Sequence, residues 1–184
     1  PMVNFNSRLK DTRLHKFLLI GFFFSLVVSC SGEKIDNGQV FRMPISNEPP
    51  TLDWSLATDS VSFDILTNIM EGLTQYDSNM EPVPAIAKHW EISKNGKMVT
   101  YYLRDDVFWT DGKPVTAYDF EYSWKRLLNP ATAAQYAYFL FDLENAHEYN
   151  SGEISDPSKV GVSAKTDHIL EVRLKKPVVY FPSI

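Results

Sequence analysis

The sequence predicts an α+β domain, and three local patterns carry that expectation. Asn95-Gly96 lies between two alternating segments, a strong hairpin signal because both turn positions tolerate positive φ. Thr116 stands three residues before Asp119 at the head of an amphipathic run, a variant of the helix capping box. Ser60 opens a second apolar-periodic run that closes at Gly72. The 184 residues are 44% hydrophobic and 22% charged, which excludes a disordered tail, a collagen-like fibre and a disulfide-dense mini-protein. A formal charge of −5 argues against a chain whose task is to hold nucleic acid, since phosphate contacts need a basic face. The single Cys30 excludes an intramolecular disulfide and a multi-cysteine metal site.

Taken in order, residues 1–29 read as a secretory signal. Arg8, Lys10, Arg13 and Lys16 precede an uncharged run from Phe17 to Val28, too short for a comfortable membrane span. Val27-Val28-Ser29-Cys30 resembles the lipobox of bacterial lipoproteins, in which the signal is cut before the Cys and the thiol receives a diacylglycerol. The alternative is an ordinary signal followed by an incidental Cys. Residues 30–38 then form a short polar tether. Removing residues 1–29 leaves 14 Lys+Arg against 22 Asp+Glu, a formal charge of −8, which fits extracytoplasmic solute capture better than binding of acidic polymers.

Residues 39–184 read as one region. A short strand is expected from Gln39 to Met43, ended by Pro44. The two prolines of residues 47–53 give an extended loop. With Ser60 as its N-cap, a helix should run to Glu71 and bury Phe63, Leu66, Ile69 and Met70 as one stripe. Strands follow at residues 73–76, 90–93 and 98–104. Residues 110–114 make a turn, and the Thr116-capped helix runs to about Leu128, stopping at Asn129-Pro130. A further helix is expected over residues 131–140, then strands at 160–162 and 169–174 around a Thr166-Asp167 turn. The chain begins with Pro1 before Met2 and stops on the apolar residues 180–184, the pattern of a partial sequence.

An ordered series of motifs then resembles one family. Glu48-Pro49-Pro50-Thr51-Leu52-Asp53 opens it, and Glu71-Gly72-Leu73, Pro84-Ala85-Ile86-Ala87 and Trp90-Glu91-Ile92-Ser93 follow. Tyr102-Leu103-Arg104-Asp105-Asp106-Val107-Phe108-Trp109, Asp111-Gly112-Lys113-Pro114-Val115-Thr116-Ala117 and Tyr122-Ser123-Trp124 continue it, with Tyr136-Ala137, Gly161-Val162 and Leu170-Glu171-Val172 at the end. The set resembles the N-terminal part of the oligopeptide-binding lipoproteins of ABC importers, the solute-binding protein family 5 of peptide and nickel type. Many relatives have Pro after the Leu-Asp pair, where Trp54 stands here. The resemblance implies part of a periplasmic-binding-protein type II-like fold, two-lobed and hinged. This chain would hold the inserted subdomain and part of the first lobe, with the second lobe missing. It implies capture of oligopeptides, delivery to ABC permease subunits and membrane attachment through lipid on Cys30, with no cofactor and no enzymatic activity. The competing possibility is a short membrane-anchored lipoprotein acting as an interaction or scaffold module without transport.

The resemblance also implies site residues. Tyr136 matches a position where an aromatic side chain lies at the ligand cleft; the alternative is that Tyr136, Tyr138 and Phe139 are ordinary helix core or surface. Thr58, Asp59, Ser60 and Val61 align with a cleft loop whose extended backbone can pair with a peptide main chain; the alternative is a plain capping loop. Trp90, Trp109 and Trp124 are expected to be core residues. Asp105, Asp106 and Asp111 flank turns, where aspartate hydrogen-bonds locally, so no catalytic pair is expected. His15, His89, His147 and His168 have no metal-pair spacing, and no metal site is expected.

Overall fold

The computed structural model describes residues 42–184. The expected signal segment, Cys30, the tether and residues 39–41 of the first expected strand lie outside the described residues. Arg42 and Met43 are not in a strand. Residues from Ile45 to Ile184 form one compact unit.

The α+β expectation holds. Its centre is a four-stranded antiparallel sheet in the order β3-β4-β6-β5, built from β3 (Ala87–Ile92), β4 (Met98–Leu103), β5 (Val162–Thr166) and β6 (Ile169–Arg173). The Asn95-Gly96 hairpin forms between β3 and β4 as expected, with Gly96 at φ 67°. Strand alternation then decides the layers. Val99, Tyr101 and Leu103 of β4 share one face with Leu170 and Val172 of β6, register partners Val99–Val172 and Tyr101–Leu170, and all five are buried. The opposite face carries Thr100, Glu171, Tyr102 and Arg173, with the ion pairs Lys165–Glu171 and Arg173–Glu144 at 3.1 and 2.9 Å.

Helix α2 (Ala117–Leu128) packs on β5 and β6, with Ala117 and Leu128 in the same core as the buried strand residues. Its start is the expected one: the Asp119 carboxylate accepts from the Thr116 N–H at 2.7 Å and from its hydroxyl at 3.0 Å. Glu121 joins α2 to the sheet. Its Oε2 accepts from the Ala164 N–H at 2.8 Å, where a register irregularity interrupts the β5–β6 ladder. Helix α1 (Ser60–Ile69) precedes a two-stranded sheet of β1 (Thr74–Tyr76) and β2 (Pro82–Pro84). A short α3 (Ala146–Asn150) was not legible in the sequence.

Several expectations need correction. The N-cap of α1 is Asp59, not Ser60: the Asp59 carboxylate accepts from the Ser62 N–H at 2.9 Å and from its hydroxyl at 2.7 Å. Helix α1 ends at Ile69 rather than Glu71. The chain turns extended at Met70 because the carbonyls of Gly72 and Leu73 are engaged by the N–H groups of Ala85, Ile86 and Ala87. Of the expected apolar stripe only Leu66 is buried, while Phe63 is half-buried and Ile69 and Met70 are exposed. The helix expected over residues 131–140 is two separate 3-10 turns, Pro130–Thr132 and Ala137–Leu140. Ala133 between them adopts φ 53°, a left-handed conformation that no α-helix continues through. The strand expected at 160–162 starts at Val162, since Val160 closes the Pro157–Lys159 turn. Trp90 and Trp124 pack against the core as expected, but Trp109 is exposed in its turn.

Residues near the C-terminal end are integrated rather than loose. Phe181 is fully buried and meets Trp124 edge-on at 6.1 Å. The Thr74 hydroxyl donates to the Pro182 carbonyl at 2.7 Å, and the Tyr76 hydroxyl to that of Ser183 at 2.6 Å.

Candidate functional site

Two stretches far apart in sequence meet at the candidate site. The first is the loop of residues 53–59 and the first turn of α1. The second is the turn that begins at Tyr136. Ala137 and Leu140 of that turn are buried in the core, which leaves Tyr138 and Phe139 exposed and Tyr136 half-buried. The Tyr136 hydroxyl reaches the Thr58 carbonyl at a long 3.4 Å, and its ring stacks on Phe63 at 6.1 Å. Trp54 meets Phe63 edge-on at 6.0 Å, and Phe139 lies 5.6 Å from Tyr136. Such ring pairs add attraction beyond simple burial.

Thr58 is thus beside Tyr136, and Asp59 follows it in extended conformation with φ −114° and ψ 155°. Ser60 and Val61, expected to continue an extended cleft loop, are instead the first two residues of α1. Extended backbone is therefore limited to the approach to the helix. The Asp59 carbonyl accepts from the Phe63 N–H at 3.2 Å, so its place is fixed by the helix. The loop caps α1 through Asp59 and lies against Tyr136 through Thr58.

The electrostatics explain how the loop is held. The Ser62 N–H and hydroxyl beside Asp59 hold its carboxyl below the ordinary aspartate value of 3.8. A group with a lowered folded value contributes stability above its unfolded value and loses it as pH falls through the folded one. The extra stability of the native chain over an Asp59→Ala variant should therefore be constant above about pH 5 and shrink below pH 4. Acid titration of the two chains, read by circular dichroism, checks this; a difference independent of pH would contradict it.

Sequence reasoning missed the strongest polar contact here. Asp53 and Arg126 form a two-pronged pair, Nη1–Oδ1 at 2.7 Å and Nη2–Oδ2 at 2.5 Å. The Arg126 guanidinium lowers the Asp53 carboxyl, with help from the Ser55 N–H. In the sequence Phe63 belongs to the apolar stripe expected of α1, and Trp54 stands out only as a departure from the family motif. No local signal marks Phe63 as a partner of Tyr136, or Trp54 as a partner of Phe63.

Asp106 pairs with Arg104 and Asp111 with Lys113, each at 2.9 Å and each within its own turn region. His89 stacks on Tyr102 with ring centroids 4.4 Å apart, and His147 meets Phe141 edge-on at 5.0 Å. Among the described residues no group of three His, Cys, Asp or Glu side chains could hold a metal ion.

Residues 81–184 match the family model described as bacterial extracellular solute-binding proteins, family 5, middle region. The chain is 43% identical over 154 residues to the dipeptide-binding protein DppE of Bacillus subtilis, covering 84% of this chain and 27% of that protein. It is 40% identical over 154 residues to the oligopeptide-binding protein OppA of the same organism, covering 83% of this chain and 28% of that protein. Its fold matches a crystal structure of the substrate-binding domain of an oligopeptide ABC transporter from Bacillus anthracis. The TM-score is 0.75 at 43% identity, over 82% of this chain and 30% of that one. The chain therefore spans less than a third of the length of these relatives, and its mixed helix-and-sheet architecture is part of a periplasmic-binding-protein type II fold.

Proposed function

Because the chain belongs to the bacterial extracellular solute-binding proteins of family 5, we propose that it supplies peptide-contacting surface to an extracytoplasmic binding protein that captures oligopeptides and delivers them to an ABC permease. The observation that supports this most directly is the Tyr136–Thr58 approach. Two segments 78 residues apart, both implied by the family resemblance to line the ligand cleft, lie side by side at 3.4 Å. An aromatic ring beside the approach to a helix can grip a peptide through its backbone and one side-chain face, without demanding a sequence. The relatives' names as dipeptide- and oligopeptide-binding proteins agree with this ligand class.

The native product of the gene that encodes this sequence should release or absorb heat when titrated with a mixed pool of short peptides. It should also compact in solution scattering, as closure of two lobes around a ligand requires. No heat and unchanged scattering would overturn the proposal and favour a scaffold module.

Attachment to the membrane through lipid on Cys30 belongs to the same proposal. Its support is the Val27-Val28-Ser29-Cys30 pattern after an uncharged run. Acyl chains would supply the membrane affinity while the folded part stays in water. A Cys30→Ala variant should move from the membrane fraction to the soluble fraction. Retention of the variant on the membrane after a high-salt wash would contradict lipid anchoring.

A further inference from the structure

We infer that the Asp53–Arg126 pair is a positioning clasp for the peptide-contacting loop, setting Trp54 and, through it, the Phe63–Tyr136 ring stack beside Thr58. The inference rests on the peptide-binding reading given above.

The geometry of the clasp favours orientation over stability. Both side chains keep about a third of their surface exposed, 35% for Arg126 and 31% for Asp53, so water competes for the pair. A two-pronged guanidinium–carboxylate contact nevertheless fixes the plane and direction of the carboxylate, which a single-point contact does not. Arg126 is well placed to do this. It lies in the last turn of α2, two residues from the fully buried Leu128, so it projects from a seated helix.

Asp53 passes that order to the backbone on both sides of itself. Its N–H donates to the Thr51 hydroxyl at 3.0 Å, and its Oδ1 accepts from the Ser55 N–H at 3.0 Å. Its carbonyl accepts from the N–H groups of Leu56 and Ala57, both at 3.0 Å. One residue thus shapes residues 51–57. Ser55 and Ala57 are buried, whereas Trp54, just before them, is exposed and turned onto Phe63. Phe63 in turn stacks on Tyr136. The chain of contact runs from Arg126 to Asp53, then Trp54, Phe63 and Tyr136. A loop held this way loses less freedom when a ligand arrives, and that saving appears as affinity.

The test uses the native product with a synthetic library of tri- to pentapeptides as the probe. Arg126→Gln should weaken library binding about tenfold, with far-UV circular dichroism and the urea midpoint unchanged. Near-UV circular dichroism should change, and that change should vanish in a Trp54→Phe background. Arg126→Lys should restore only part of the affinity, because an ammonium cannot make the two-pronged contact. In a Tyr136→Ala background, Arg126→Gln should cost less than about twofold, since residues acting through one contact are not additive. The clasp is overturned if Arg126→Gln lowers the urea midpoint while the binding of the folded protein and the near-UV spectrum stay the same. It is also overturned if the Arg126 and Tyr136 effects multiply independently. If the wild-type protein binds nothing in the library, the peptide reading fails by itself; the near-UV spectra alone then decide the clasp, and an unchanged spectrum in Arg126→Gln overturns it.

Discussion

A Gly161→Ala variant is expected to be destabilised by about 3 kcal/mol, near the upper end of single-substitution effects. A methyl group at this position would sit 2.4 Å from the Arg173 carbonyl oxygen and 2.9 Å from the Glu144 backbone nitrogen. Neither neighbour is a flexible side-chain end. The approach is this close because three backbone hydrogen bonds meet here. Gly161 N–H donates to the Glu144 carbonyl at 2.8 Å, Arg173 N–H to the Gly161 carbonyl at 2.7 Å, and Glu144 N–H to the Arg173 carbonyl at 2.9 Å. Relieving the clash means breaking or lengthening these bonds, each worth about 1 kcal/mol when buried and replaceable only in part by water. The junction also fixes where β5 begins and β6 ends, so the damage would spread into the sheet. Urea unfolding followed by tryptophan fluorescence measures it. A midpoint shift worth less than about 1 kcal/mol would mean that the junction relaxes freely, contrary to the packing described.

The second large effect concerns Tyr136. Replacing it with Ala should weaken peptide binding about tenfold or more while leaving the fold intact, because aromatic anchors dominate the energetics of contact surfaces. The ring is only half-buried, and the buried neighbours Ala137 and Leu140 hold the turn without it. Tyr136→Phe separates ring from hydroxyl. The hydroxyl makes one long 3.4 Å bond to the Thr58 carbonyl, so losing it should cost about threefold or less. Calorimetric titration of both variants decides between the two groups. An unaltered affinity in Tyr136→Ala would remove Tyr136 from the site. A loss in Tyr136→Phe as great as in Tyr136→Ala would give the role to the hydroxyl.

The elements that were legible in the sequence are those whose signals are local. Asn95-Gly96 requires a tight turn whatever surrounds it, and Gly96 does adopt positive φ. Thr116 and Asp119 satisfy the start of α2 from within three residues. The Ser60 expectation failed by one residue because Asp59 can cap as well as Ser, and only the geometry chooses between them. The helix expected over residues 131–140 is broken by a backbone conformation that its residue types do not announce. Ala133 is left-handed at φ 53°, which no α-helix continues through, and it separates the turn Pro130–Thr132 from the turn Ala137–Leu140 that seats Ala137 and Leu140 in the core. Part of the candidate site was legible. Thr58, Asp59 and Tyr136 are implied by the family resemblance, and the structure puts Thr58 against Tyr136. The Asp53–Arg126 clasp and the Trp54–Phe63 contact were not legible, because the clasp joins residues 73 apart through a fold that no local pattern encodes.

Photo-crosslinking tests the central claim most directly. Short peptides carrying a benzophenone side chain would be bound to the native product, irradiated and mapped by mass spectrometry. The account predicts attachment at Thr58–Val61 or at Tyr136 and its exposed neighbours Tyr138 and Phe139, abolished by excess unlabelled peptide. Competable attachment confined to other parts of the protein, or attachment here that unlabelled peptide does not displace, would contradict it.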